Sequence, residues 1–485
     1  MFYLYFSFYL AKSVKMHLIY VAKNVNIYYI YLAKSVKMHL IYVAKNVILE
    51  KIMKRTVFNQ LVKWKNKTGH KPLVLQGARQ VGKTWLMKEF GKQEYAKTAY
   101  INFDKNENMQ NLFAKDMDVK RLLIGLSLES GTQITPNDTL IIFDEIQENP
   151  NALNSLKYFY EQVPEYHIIA AGSLLGVALT HHGQSFPVGK VEFMDIVPMS
   201  FYEFLDAIGE EDFRKTLKNG DFELIKNFKT KYEDFLKQYL FVGGMPEAVA
   251  SFAQNHDFTE VRTIQNNLLR SYESDFSKHI SKQDEAKVEM IWNAIPSQIA
   301  KENQKFVYGQ VKAGARAAEF ENALTWLEKT GLIYPVTKIS KPDLPLSGYE
   351  DRSFFKLYMI DVGLLCAKSL LPAKALLEGN RIFEEFKGAL TEQYVLQQLK
   401  TIDNAPVYYW AGRTSEIDFV IQKEDLVIPV EVKAGINLKA RSLAVYKEKY
   451  NPIKSIRTSL ADFKVNDGLY DIPLYLIENI NQIIG

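Results

Sequence analysis

The sequence predicts an α/β protein in three parts: a parallel-sheet domain, a mostly helical middle, and a second α/β domain at the C-terminal end. Three observations carry this. Between Lys71 and Pro198, short apolar runs alternate with helical stretches, the pattern of parallel strands buried on both faces. Through residues 200–300, apolar residues recur near period 3.6, as in FYEFL, YEDFLKQYLFV and VRTIQNNLLRSYESDF. In residues 354–485, helical runs give way to segments that alternate with period 2.

Length and composition agree with that division. The 485 residues amount to roughly three domains at about 150 each. The expected parts are 1–52 as an N-terminal extension, 53–200 as the sheet domain, 201–345 as a helical and winged-helix-like region, and 346–485 as the C-terminal domain. With 47% hydrophobic and 13% aromatic residues, a wholly disordered chain is excluded. A single cysteine, Cys366, excludes an internal disulfide and a cysteine zinc ribbon, and points to a reducing compartment, expected to be the cytoplasm. The net charge of +4 is unevenly spread. Residues 1–52 hold seven lysines and one acid, so the remaining 53 basic and 55 acidic groups leave the body at −2. No global basic field argues for nucleic acid, although a local patch stays open.

The first fifty residues differ from the rest. Tyr9–Val25 reads YLAKSVKMHLIYVAKNV, and Tyr31–Val47 repeats it letter for letter. Structural repeats share a pattern rather than an identical sequence, so two exact copies read as a duplication of coding DNA. The opening MFYLYFSFYL is too short to span a bilayer and lacks a basic flank before it. Residues 1–52 are therefore expected to lie outside the working fold, which would start near Met53, with no membrane contact.

In the sheet domain the expected strands are Leu73–Gln76, Ala99–Phe103, Leu140–Phe143, His167–Ala171 and Val191–Val197. The first runs into GARQVGKT, which is Gly77, Ala78, Arg79, Gln80, Val81, Gly82, Lys83 and Thr84, and then into the helical WLMKEF. Strand, glycine loop and helix in that order make G-x-x-x-x-G-K-[ST] a phosphate cradle. Backbone N–H groups and the helix N-terminus face the β-phosphate. Lys83 would reach the β/γ-phosphates, and the Thr84 hydroxyl would ligate Mg²⁺.

A second strand, TLIIFDEIQ, ends in Asp144 and Glu145. Acids at the C-terminal end of a neighbouring parallel strand lie at the crevice where open α/β sheets bind ligands. Asp144 would hold Mg²⁺ and Glu145 would polarise the attacking water. The strand HIIAAGS ends in Ser173, expected at the γ-phosphate or that water. No N/T-K-x-D segment is present to read guanine, so ATP is preferred to GTP.

In the middle region, GGMPE (Gly243–Glu247) reads as a turn, and Ala315–Thr330 as a helix stopped by Gly331 before the strand LIYPV. Helix, glycine, strand is the order of a winged-helix module, and of many other α+β units. Acids on the polar side of that helix make it a poor groove reader, so packing or a partner contact is expected there.

GARQVGKT, IIFDEIQ, AAGS, GKVEFMDIVPMSFYEFL, GGMPEAV, ARAAEFENALTWLEKTGLIYPV and FKLYMIDVGLL, in this order, resemble the AAA+-type bacterial and archaeal ATPases that end in the domain of unknown function 4143. The resemblance runs from about Lys54 to the end and excludes residues 1–52. It implies a P-loop ATPase core, a helical and winged-helix-like middle, and a C-terminal domain similar to restriction-endonuclease-type folds.

In that last domain, FKGALTEQYVLQQL reads as a helix carrying Glu392. EIDFVIQ puts Asp418 opposite Ile417 and Phe419, and LVIPVEVKAG puts Glu431 and Lys433 on one face. Two carboxylates and a lysine on adjacent strands, with a helix glutamate, would bind Mg²⁺ and activate water against a phosphodiester. This resembles the PD-(D/E)xK nuclease arrangement, with Ile417 where proline often stands. The same residues also fit an ordinary solvated strand. Trp410 would stack on nucleic acid with Arg413 beside it, or cap a core. His181 and His182 read as a solvated loop, and Arg262, Arg270 and Arg316 are the candidate arginine fingers.

The reading is an ATP- and Mg²⁺-dependent ATPase, with Glu145 and Lys83 catalytic at the loop and Asp418, Glu431 and Lys433 catalytic in a nuclease-like domain. Nucleic acid, a protein partner and a second copy of the chain are its candidate partners. The rival is a nucleotide-gated interaction module whose C-terminal fold is catalytically silent.

Overall fold

β1 (Leu73–Gln76), β2 (Lys97–Asn102), β3 (Thr139–Asp144), β4 (His167–Ala171) and β5 (Glu192–Asp195) form one sheet in the order β2-β3-β4-β1-β5, every pair parallel. β3 and β4 are buried along their whole length, as strands covered on both faces must be. The apolar faces of β2 and β3 meet Met109, Phe113, Leu122, Leu126, Leu156 and Phe159 from three covering helices. All five strands lie within two residues of their expected bounds. The fifth, Val191–Val197, shortens to a four-residue edge whose burial alternates.

The computed structural model describes residues 54–172, 187, 189–301, 305–378, 384–436 and 438–485. The chain divides into two compact units, Met1–Met53 and Lys54–Gly485, and only the second falls among the described residues. The duplicated segment 1–52, Ser173, His181 and His182 lie outside them.

Helices from Phe201–Ala207 to Ala317–Lys329 make up the middle, the longest being Phe258–His279. Ser200 caps the first with a reciprocal bond to Glu203, which satisfies two end donors. The helix Ala317–Lys329 buries Phe320, Ala323, Trp326 and Leu327. It leads into β6 (Ile333–Ile339), which pairs antiparallel with β7 (Glu350–Met359).

That hairpin joins a second sheet with β8 (Tyr408–Ala411), β9 (Glu416–Lys423), β10 (Leu426–Val432), β11 (Ser455–Ser459), β12 (Lys464–Asn466) and β13 (Leu469–Pro473). Its order is β12-β13-β11-β10-β9-β8-β6-β7, of mixed direction. The sheet therefore runs across residues 345 and 346, where the expected division between middle and C-terminal parts falls. The helix Glu384–Ile402 lies in contact with β10.

Among the described residues, no helix is long and apolar enough to cross a membrane.

Candidate functional site

The loop after β1 is shaped by its backbone. Gly77 has φ 133°, and a Cβ there would lie 2.1 Å from the Ile196 carbonyl oxygen, so no larger residue fits. Gly82 opens the helix Lys83–Glu94 in the left-handed region. The Lys83 ammonium curls back and donates to the Gly77 and Ala78 carbonyls at 2.7 and 2.8 Å. Burial lowers its pKa to about 8, opposed by the nearby charges of Glu145 and Asp144.

Thr84, at the start of that helix, donates its hydroxyl to Asp144 Oδ2 at 2.9 Å, and the Tyr100 hydroxyl donates to the same oxygen at 2.8 Å. The expected loop and the expected acid thus meet. Glu145 follows with φ 52°, a left-handed conformation unusual for a glutamate, and accepts from Gln147 Nε2 at 2.6 Å. Tyr100 was not legible as a site residue: it lies in an ordinary alternating strand.

The middle region holds the loop from outside. Arg79 Nη1 bonds both oxygens of Asp275, at 2.5 and 2.6 Å, and the Tyr272 hydroxyl donates to the Arg79 carbonyl at 2.9 Å. Both partners stand on Phe258–His279. Arg55 is buried against the other side and donates to the Val81 carbonyl at 3.0 Å, the Val197 carbonyl at 2.6 Å and Glu203 at 3.1 Å. A cavity of about 220 Å³ opens beside the loop, lined in part by Gly77, Ala78, Gly172, Gly331 and Tyr334. Of the candidate fingers, Arg262 is turned inward to the Leu371 carbonyl and the Phe241 ring, whereas Arg270 and Arg316 are exposed.

The segments GGMPE and YMIDVGLL meet in the interior. Asp361 accepts from Gly244 N at 2.6 Å, Leu364 N at 3.0 Å and Gln397 Nε2 at 2.9 Å. Gly243 has φ 74°, and a Cβ on it would fall 2.2 Å from Asp361 Oδ1. Burial raises the Asp361 pKa, and these three donors pull it back. Their role here is a joint between helices.

The C-terminal carboxylates also come together. Asp418 on β9 accepts from Val432 N at 2.7 Å, across the β9–β10 pairing. Glu431, 3% exposed, accepts from Lys433 Nζ at 2.7 Å on one oxygen, while its Oε2 is buried without a hydrogen-bond partner. Glu392 accepts from the Tyr358 hydroxyl at 2.9 Å. Tyr358 was not singled out in the sequence, nor were Lys356 and Glu416, which complete the cluster. Lys356 on β7, 2% exposed, lies 2.7 Å from Glu416 and 3.5 Å from Glu392. Burial, then Glu392 and Glu431, push the Asp418 carboxyl well above its ordinary range, against the pull of Lys356; burial raises Glu431 too, against Lys433. The PD-(D/E)xK likeness implies Mg²⁺ here. Among the described residues, no group of three or more His, Cys, Asp and Glu side chains could hold a metal ion, and Lys356 stands among these carboxylates. Trp410 is buried against Tyr446 and Tyr450, so it caps a core instead of stacking on nucleic acid; Arg413 is exposed.

Sheet order, glycine loop and the acid beside it define a P-loop ATPase-like α/β protein with a helical middle and a C-terminal mixed sheet. Residues 69–205 match the family model of the AAA domain, residues 233–375 that of domain of unknown function DUF8612, and residues 387–477 that of domain of unknown function DUF4143. The chain thus carries an AAA domain over residues 69–205 and a DUF4143 domain over residues 387–477. Similar solved structures include a Walker-type ATPase of Pyrococcus abyssi, 14% identical, with 66% of this chain and 96% of that chain covered and a TM-score of 0.41. The Aeropyrum pernix ORC2 protein, solved as ADPNP–ADP complexes, is 13% identical over 73% of this chain and 94% of that one, with a TM-score of 0.31. The Thermotoga maritima RuvB Holliday junction branch migration motor is 11% identical over 62% and 89%, with a TM-score of 0.24. No curated protein matches the chain.

Proposed function

We propose that the chain binds and hydrolyses ATP with Mg²⁺ at the loop of residues 77–84. The observation that carries this is the 2.9 Å bond from Thr84 to Asp144, which joins the two halves of a phosphate-and-magnesium site. Lys83 leaves the Gly77 and Ala78 carbonyls to face the β/γ-phosphates. Thr84 and Asp144 would hold Mg²⁺, which supplies charge neutralisation at the phosphates. Glu145 orients the attacking water from its left-handed position next to Asp144. Ser173 remains in this reading as a contact to the γ-phosphate or the water. Glu145→Gln should retain ATP binding and lose turnover by about 10²-fold or more. Normal turnover in that variant would take Glu145 out of this role.

For the C-terminal domain two readings stand: Mg²⁺-dependent nucleic-acid processing by Asp418, Glu431, Lys433 and Glu392, or a silent nuclease-like fold that serves a nucleotide-gated interaction module. The buried Lys356 among the carboxylates favours the second. Under it, the Arg79–Asp275 bridge is the path from nucleotide to helices. The protein that co-purifies with the Glu145→Gln trap identifies the partner. Plasmid nicking by the wild type that is lost in Asp418→Asn would restore the first reading.

A further inference from the structure

We infer that Lys356 is the resident cation of the C-terminal carboxylate cluster, filling the place a divalent ion would need, so that the native chain takes no Mg²⁺ or Mn²⁺ there. The inference deepens the interaction-module reading and rests on it.

Four carboxylates, from Glu392, Glu416, Asp418 and Glu431, gather with two ammonium groups, from Lys356 and Lys433. Nearly every one already has a partner inside the protein. Glu416 and Glu392 share Lys356, Glu392 also takes the Tyr358 hydroxyl, Asp418 takes the Val432 N–H, and Glu431 takes Lys433. Buried charges are tolerated when paired and hydrogen-bonded, and this cluster meets that condition with its own lysines.

The position of Lys356 is set by the sheet rather than by a flexible stem. Its main chain pairs with Val336 on β6, and Lys305 bridges it on the other side. Its ammonium lies over the Tyr409 ring, 5.4 Å from the centroid, and is sealed from solvent. Mg²⁺ demands a near-octahedral set of oxygens at about 2.1 Å and gives up water reluctantly. A dication placed among these oxygens would have to displace a buried ammonium or lie against it, and like charges in a poorly screened interior repel strongly. Of the cluster's oxygens sealed from solvent, Glu431 Oε2 alone lacks a hydrogen-bond partner, a single ligand where Mg²⁺ asks for several.

Replacing the lysine by an isosteric apolar side chain should therefore open a divalent site that the native chain lacks. The test is Mn²⁺ titration of the full chain without nucleotide, read by calorimetry and by melting temperature. Wild type and Asp418→Asn should take up the same Mn²⁺, since neither uses the cluster. Lys356→Met should bind about one further Mn²⁺ per chain and recover roughly 4 °C of melting temperature at 100-fold over its Kd. The double variant Lys356→Met, Asp418→Asn should lose both gains. A folded Lys356→Met chain without a Mn²⁺ response overturns the inference. Should Lys356→Met not fold, the wild type against Asp418→Asn decides: Mn²⁺ uptake that needs Asp418 overturns it, and equal uptake upholds it. Plasmid nicking separates the two levels. Asp418-dependent Mn²⁺ binding without nicking removes the resident lysine but leaves the interaction module standing, whereas Asp418-dependent nicking removes both.

Discussion

The P-loop and the C-terminal cluster use the same residue types and reach opposite states. At the loop, the Lys83 ammonium bonds neutral carbonyls, and Asp144 accepts from the neutral hydroxyls of Thr84 and Tyr100. Lys83 and Asp144 thus each bond neutral partners, and in the proposed function the lysine turns to a phosphate and the carboxylate to a cation. At the cluster, Lys356 and Lys433 bond carboxylates directly. There the attraction is already satisfied within the protein. Which partner a buried lysine takes, a carbonyl or a carboxylate, separates a site ready for a charged ligand from one that is closed.

The largest effects test that contrast through its two lysines. Lys83→Ala should weaken ATP binding on the order of 10²-fold, about 3 kcal/mol, because charge-assisted contacts to phosphate are lost. Its stability should change by less than about 1 kcal/mol, since only bonds to neutral carbonyls disappear. Lys356→Ala should do the reverse. Removing one partner of a buried ion pair costs about 3–5 kcal/mol, so urea unfolding should show the loss while ATP affinity holds. If both substitutions destabilised the chain equally, the two lysines would not differ in kind.

A smaller effect separates the sites by pH. Burial and two neighbouring acids raise the Asp418 pKa above its ordinary 3.8, so as pH rises the unfolded chain gives up this proton before the folded chain does. The stabilising contribution of the protonated group is complete below 3.8 and is lost as pH rises through the folded value. Asp418→Asn, which cannot ionise, should match wild type in acid and become the more stable of the two toward neutral pH. Paired unfolding curves at stepped pH measure this; wild type becoming the more stable of the two as pH rises would mean a carboxylate held ionised by a cation.

The smallest expected effect sharpens the link from loop to helix. Tyr272→Phe removes one bond to the Arg79 carbonyl and should cost about 1 kcal/mol, with a few-fold change in KM for ATP and no change in DUF4143-domain packing. A KM identical to wild type would detach Phe258–His279 from nucleotide sensing.

Local chemistry made the first domain legible. Glycines at fixed spacing, a lysine and threonine after them, and acids closing an apolar strand each carry their signal within a few residues. For that reason β1, β4, the loop and Asp144 lie where the sequence put them. The same local rules found Glu392, Asp418, Glu431 and Lys433 and placed them together, but they said nothing of Lys356, Glu416 or Tyr358. Lys356 comes from β7, more than thirty residues before Glu392, in a hairpin whose other strand, β6, was read as part of the middle region. Only the pairing of β6 with β8 brings that hairpin into the second sheet and delivers an ammonium to the carboxylates. Asp361 and Gln397 became a joint for GGMPE by the same route, and Trp410 became a core residue. By itself the sequence determined which groups bear charge and which strands are apolar. Whether a charge meets solvent, a neutral dipole or an opposite charge was decided by tertiary structure, because electrostatic partners are set by distance and burial in space, and those depend on strands far apart in the chain.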